Sequence, residues 1–297
     1  MAEAFVVETI DLQKHFGRKR AVDGLSLCVP RGSVYGFLGR NGAGKTTTIQ
    51  MLMGLLQPTG GSAQVLGLDP LRDYVEVHRR ATYMPEQPSL YEWMTVEQIC
   101  RFASQLWPTW NQKRCLELLD RLELSPRDRI STLSRGMKGK VQLVLALSPE
   151  PELLLLDDPT SGLDAVVRRE FMEGIIGALA DTGATVLFSS HIIDDVERIA
   201  DHIGIIDGGK LIVQSPLDDL KEKITRVTVS GGNGALTADL GHIVSQEQVA
   251  AERVLLVQDL VRAAVEKLQQ SGAEVGTGAA SLEDIFVAYV SHKGETS

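Results

Sequence analysis

The sequence predicts an α/β chain with a mostly parallel sheet built around a phosphate-binding loop. Three observations predict it. First, Gly39-Arg40-Asn41-Gly42-Ala43-Gly44-Lys45-Thr46 fits G-x-x-x-x-G-K-[ST] at every fixed position, between the apolar residues 33–38 and the helix-like residues 46–52. Second, apolar strand patterns at residues 153–156, 185–188 and 203–206 alternate with helical stretches, the signature of a parallel sheet with helices on its faces. Third, the texture changes at both ends of that region, predicting an N-terminal antiparallel β section and a small α+β C-terminal domain.

The elements follow in order. Phe5-Val6-Val7, Ala21-Val22 and Leu25-Ser26-Leu27-Cys28-Val29, punctuated by Pro30-Arg31-Gly32, read as short strands. The helix after the loop ends near Gly54, with Pro58-Thr59-Gly60-Gly61-Ser62 as its breaker and a strand at residues 63–66. Residues 92–149 carry helical spacing, as in Arg114-Cys115-Leu116-Glu117-Leu118-Leu119, and read as a helical insert between two halves of the sheet. Trp93, Trp107 and Trp110 fall in or beside this insert. Core packing is expected for each, the alternative being an apolar groove for a partner. Beyond residue 224, strands at 227–229 and 254–257 flank the loop Gly231-Gly232-Asn233-Gly234, and helices follow at 259–269 and 281–290. The expected domains are residues 1–222 and 223–297.

At 297 residues the chain has room for about two domains. Its net charge of −9 argues against binding nucleic acid through a general field. Cys28, Cys100 and Cys115 show no metal spacing and read as free thiols of a reducing compartment. The first residues lack a basic, then apolar, leader pattern, so no signal peptide is expected. No run approaches the roughly 18 apolar residues of a membrane span.

The loop chemistry is explicit in its residue types. Glycines let backbone N–H groups turn inward on a phosphate, and the following helix N-terminus adds unpaired donors. Lys45 is placed to reach the β- and γ-phosphates, and the Thr46 hydroxyl to hold Mg2+. The run Leu153-Leu154-Leu155-Leu156-Asp157-Asp158 is an apolar strand ending in two carboxylates, where open α/β sheets bind ligands. Asp157 is expected to hold Mg2+ opposite Thr46. Taken alone, the same run reads as a strand–turn cap.

Further motifs carry a family resemblance. Leu133-Ser134-Arg135-Gly136-Met137-Lys138 resembles the signature of ATP-binding-cassette (ABC) ATPases. Ser161-Gly162-Leu163-Asp164 is similar to the family's D-loop, and His191 to its switch histidine. Pro85-Glu86-Gln87 resembles the Q-loop, with Glu86 aligned to the usual glutamine. Phe16 stands where the family places an aromatic under adenine, although alone it reads as a core residue. The resemblance covers about residues 5–220, and Ser281-Leu282-Glu283-Asp284-Ile285-Phe286 is similar to the tail of bacterial exporter subunits. It implies a P-loop NTPase fold, with ATP and Mg2+ as ligands. The loop from Gly39 to Thr47 would hold phosphates, with Asp158, His191 and Glu86 catalytic. Ser134 and Gly136 would face the ATP of a second ABC subunit. It also implies a membrane-spanning permease partner and a cytoplasmic, peripheral place on the inner face of the cell membrane.

Three departures stand out. Asp158 occupies the position of the family's general-base Glu, and its carboxylate sits about 1.5 Å further back. A shift of that size costs on the order of a hundredfold in rate, so slow hydrolysis is expected. Arg135 replaces the commonest Gly and Met137 a common Gln. Glu86 replaces the expected Gln, with Gln87 beside it. The leading reading is the ATPase subunit of an exporter. A membrane-independent ABC ATPase and an ATP-switched regulatory module remain as alternatives.

Overall fold

The structure, a computed structural model, describes residues 5–87, 89–231, 239–250 and 252–291. Two units divide the chain, Met1–Gln214 and Ser215–Ser297. The first runs β1 (Phe5–Phe16), β2 (Lys19–Leu25), β3 (Cys28–Pro30), β4 (Val34–Leu38), α1 (Lys45–Leu52), β5 (Gly60–Val65), α2 (Tyr74–Arg80) and β6 (Ala81–Met84). It continues through α3 (Val96–Ser104), α4 (Gln112–Arg121), a 3-10 turn at Ile130–Thr132, α5 (Arg135–Leu147), β7 (Leu153–Asp157), α6 (Ala165–Thr182), β8 (Thr185–Ser190), α7 (Ile193–Ile199), β9 (His202–Asp207) and β10 (Lys210–Pro216).

β1 pairs antiparallel with β2, β3 and β5. Register breaks between Leu12 and Gln13 and between Lys14 and His15, with Asp11 at φ 48, bend this long strand. Its first half can then serve β3 and its second half β2. The second sheet has the order β10-β9-β4-β8-β7-β6. The pairs β4–β8, β4–β9, β7–β8 and β6–β7 are parallel. Every residue of β7 and β8 is buried, which is why their apolar residues stand consecutively rather than alternating with exposed polar ones. One apolar cluster joins the two sheets, from Val7, Leu12 and Leu25 through Phe37, Ile49 and Leu52 to Leu155 and Leu187. Each such side chain contributes about 1.5–3 kcal/mol on burial.

The insert buries Val96, Ile99, Cys100, Cys115, Leu118 and Leu119. Its tryptophans correct the expectation of core packing. Trp93 is 68% exposed and Trp107 and Trp110 are half-buried. In the turn before α3 it is Met94 that points inward, and the thin layer between helices is already filled by aliphatic side chains and two thiols.

The second unit comprises α8 (Leu217–Lys223), β11 (Ile224–Ser230), β12 (His242–Val249), β13 (Glu252–Gln258), α9 (Arg262–Gln270), β14 (Glu274–Ala279) and α10 (Leu282–Ser291). Its antiparallel sheet has the order β12-β13-β11-β14. Val227, Leu240, Leu255, Val257 and Leu268 form its core. The boundary falls before the expected residue 223 because α8 buries Leu217 and Leu220 and packs on β11. Strands β12 and β14 are absent from the sequence reading. Both are edge strands with mostly exposed residues, so no apolar period marks them. α9 begins later than residue 259, since Asp259 takes φ 54. Of the expected Gly231–Gly234 loop, Gly232, Asn233 and Gly234 lie outside the described residues.

Glu152 staples the lower end of the parallel sheet. Arg80, just before β6, grips its two carboxylate oxygens through Nε and Nη2, and Arg31 adds a bond of 3.3 Å. The Glu152 N–H donates to Arg80 O at 2.8 Å, and its carbonyl accepts from Thr185 N–H at 2.9 Å. Arg80 holds the Glu152 carboxyl below the usual value. That contribution is therefore full above the ordinary Glu range near 4.3 and is lost as pH falls through the lowered value. Because the carboxyl is 41% exposed, solvent screening limits it. Glu152→Gln is expected to cost about 0.5–1 kcal/mol in urea unfolding at neutral pH, and nothing in acid, where the wild-type carboxyl is also protonated.

Candidate functional site

Three adjacent parallel strands end at one place. Leu38 of β4 lies opposite Ser190 of β8, and Ser189 of β8 lies opposite Asp157 of β7. The loop after β4, the carboxylates ending β7 and the His191 step after β8 therefore meet at the carboxyl edge of the sheet, where such sheets bind ligands.

The loop turns into α1 at Gly44, whose φ is 112. A Cβ there would lie 2.5 Å from the carbonyl oxygen of Ala21, so only glycine serves. Lys45 folds back across the loop. Its Nζ donates to Gly39 O at 2.7 Å and Arg40 O at 3.3 Å, and the residue is 7% exposed. Burial pulls its ammonium below the usual lysine value, opposed by the charges of Asp158, Asp157 and Glu86. This is a cation held by two backbone carbonyls, with carboxylates around it.

Asp157 is fully buried and its Oδ1 accepts two hydroxyls, Ser189 Oγ at 2.8 Å and Thr46 Oγ1 at 3.0 Å. Burial raises its carboxyl above the usual range, and the two hydroxyls partly offset that. Tyr83, at the end of β6, is pushed up to about 12, by burial first and then by the charge of Asp157. Asp158 adopts φ 48, a left-handed backbone that Asp tolerates better than most residues. Its N–H donates to Ser189 Oγ at 2.9 Å. His191 Nδ1 lies 2.7 Å from Asp158 Oδ2. A carboxylate only accepts, so the imidazole donates and its Nε2 is left for other work. The second oxygen, Oδ1, is buried without a hydrogen-bond partner. An orphaned acceptor costs about 1–3 kcal/mol, a penalty that a donating ligand would relieve.

Phe16, Asn41, Gly42, Gly44, Lys45, Thr46, Thr47, Glu86, Asp158 and His191 line one open cleft of about 390 Å3, a size suited to a small ligand. Gly39, Arg40 and Ala43 complete the loop, and Asp157 sits behind Thr46. Gln87 does not line the cleft, whereas Glu86 does and accepts from Ser161 Oγ at 3.0 Å. Phe16 is 51% exposed, with the Lys14 ammonium 5.2 Å from its ring centroid. Ser134 and Gly136 are not among the lining residues. Ser134 caps α5, its Oγ accepting from Met137 N–H at 3.2 Å. Gly136 lets α6 come close, since a Cβ would meet Val167 Cγ1 at 2.7 Å. Lys19, Ala21 and Ser161 also line the cleft. Sequence reasoning missed them as site residues, and only Ser161 carried a signal, the motif that contains it.

The donor set fits Mg2+. Among the described residues, no group of three or more His, Cys, Asp or Glu side chains is arranged to hold a metal alone. One carboxylate and one hydroxyl at hydrogen-bonding distance, beside a phosphate-sized hollow, match an ion that keeps waters and takes phosphate oxygens. Gly44→Ala is expected to weaken binding of a fluorescent ATP analogue about tenfold or more, since both the φ and the Ala21 contact must relax.

A family profile described as ABC transporter matches residues 22–161. The bacitracin transport ATP-binding protein BcrA of Bacillus licheniformis is 36% identical, over 73% of this chain and 72% of its own length. The daunorubicin/doxorubicin resistance ATP-binding protein DrrA of Streptomyces peucetius is 34% identical, over 97% of this chain and 93% of its own. Among solved structures, an ATP-binding subunit of an ABC transporter superposes with a TM-score of 0.67 at 30% identity, covering 73% of this chain and 92% of that one. Sequence, fold and cleft agree: this chain belongs to the ABC transporter family, as an ATP-binding and ATP-hydrolysing subunit.

Proposed function

We propose that this chain drives a bacterial exporter, as one of two cassette subunits bound to a membrane-spanning permease on the inner face of the cell membrane. Residues 39–47 hold the phosphates of ATP, with Lys45 neutralising the β- and γ-groups. Thr46 and Asp157 hold Mg2+, which when bound offsets charge on the transferred phosphoryl group. Phe16 stacks on adenine. Asp158 orients the attacking water and takes its proton, His191 fixes that carboxylate and senses the γ-phosphate, and Glu86 reports the state of the cleft to the partner. Ser134 and Gly136 act on the ATP of the second subunit. Unit two is an accessory domain. The lean to export rests on the resemblance of residues 281–286 to the tail of exporter subunits, and is supported by relatives described as a bacitracin transport protein and a daunorubicin/doxorubicin resistance protein.

The observation that carries the permease partner is an exposed aromatic face on the insert. Trp93, Tyr91 and Phe102 are 68%, 51% and 38% exposed, and Leu106, just past α3, is 63% exposed. The Tyr91 ring lies tilted at 6.0 Å from that of Trp93 and edge-on at 5.6 Å from that of Phe102. Contiguous apolar groups of this kind mark a binding surface, and aromatic residues are the usual anchors. No described helix is long and apolar enough to cross a membrane, so the permease is a separate chain in this reading. Pull-down from detergent-solubilised native membranes should recover a stoichiometric multi-span protein with the wild type and lose it with Trp93→Ala, whose isolated ATPase stays intact. Recovery of ribosomal or DNA-bound partners would overturn the reading.

Asp158→Glu carries the carboxylate one methylene further into the cleft. Steady-state phosphate release is expected to rise, while stability falls by about 1 kcal/mol because Glu is less at ease at φ 48. Equal or lower turnover would refute the role given to Asp158.

A further inference from the structure

One buried hydroxyl ties the carboxylate of Asp157 to the backbone of Asp158. Ser189 is fully buried at the end of β8, directly opposite Asp157 in the register of the sheet. Its Oγ donates to Asp157 Oδ1 at 2.8 Å and accepts from the Asp158 N–H at 2.9 Å. A hydroxyl has a single proton, and a carboxylate can only accept. The proton is therefore committed to Asp157, and a lone pair is left facing Asp158. Both bonds have one allowed direction, so the serine cannot trade one partner for the other.

We propose that Ser189 is a positioning residue for ATP hydrolysis, aiming the Asp157 carboxylate at Mg2+ and anchoring the backbone that carries Asp158. The proposal rests on the reading of Asp157 as the Mg2+ ligand. Thr46 Oγ1 donates to the same Asp157 oxygen. Were the Thr46 oxygen to take a cation, its bond to Asp157 would weaken, and the Ser189 bond to the same oxygen would still hold the carboxylate. Removing a group that orients a metal ligand from behind typically costs about 10–100-fold in metal affinity. On the other arm, Asp158 holds a left-handed backbone, and its N–H would be buried without a partner if the serine oxygen were gone. The Asp158 carboxylate that meets His191 at 2.7 Å would then lose its fixed base. Neither the phosphate loop nor the strand pattern marks Ser189 in the sequence, since it is an ordinary serine closing an apolar run.

The test measures affinity for a fluorescent ATP analogue with Mg2+ and with EDTA, turnover against Mg2+ concentration, and the melting temperature without ligand. The variants are Ser189→Ala, Ser189→Cys, which fills the space with only a weak donor, and Asp157→Asn as the reference. Both serine variants are expected to raise the half-saturating Mg2+ concentration roughly tenfold or more. They should shrink the gain in nucleotide affinity that Mg2+ brings, leave affinity in EDTA unchanged and lower kcat. Wild-type Mg2+ dependence in the serine variants, alongside its loss in Asp157→Asn, overturns the role of Ser189 alone. So does a fall in melting temperature with no change in Mg2+ dependence. If Asp157→Asn also keeps wild-type Mg2+ dependence, the assignment of Mg2+ to Asp157 falls, and this proposal with it.

Discussion

The parallel register of β4, β8 and β7 is the constraint on which the site depends. No residue of the phosphate loop touches His191 in sequence, and nothing local links Asp157 to Thr46. They meet because three buried strands end level, with Leu38 beside Ser190 and Ser189 beside Asp157. A slip of one residue would turn side chains to the opposite face, and both faces of these strands are buried. The apolar packing that opposes a slip is therefore also what sets the distance between the Asp157 carboxylate and the loop. The Arg80–Glu152 pair at the other end of the strands acts in the same sense. A strained position such as Asp158 persists only because this frame over-determines it.

Charge around Lys45 follows from the same convergence. Glu86, Asp157 and Asp158 come near a single buried ammonium. Their mutual repulsion and the burial of Asp157 disfavour the ionised site as it stands. A ligand that brings both a cation and phosphate groups answers both demands, the cation meeting the carboxylates and the phosphates meeting the loop amides and Lys45. A plain phosphate would meet only the second. Such a ligand would suit the charges of the site better than an anion alone.

The parts legible in sequence were those whose chemistry is written in consecutive residues. The phosphate loop needs glycines at set positions, and an apolar run ending in Asp157-Asp158 announces a buried strand with a charged tip. Residues brought in from elsewhere carried no such mark. Lys19 reaches the cleft from β2, and Ser189 closes a strand whose side chains are otherwise apolar or hydroxyl. Trp93 misled because a large aromatic usually signals a core, whereas here Met94 takes the inward position. The edge strands β12 and β14 were invisible because a strand exposed on its sides has no hydrophobic period to read.

The aromatic face of the insert has a consequence for the subunit before it finds its place. Tyr91, Trp93, Phe102 and Leu106 make an adhesive surface that water does not favour. A net charge of −9 spreads repulsion over the molecule and slows the meeting of two free copies through that surface. Salt weakens this protection, because the repulsion is screened within about 10 Å while the adhesion is not. Charge repulsion thus opposes self-association through this face, and its hold weakens as salt rises.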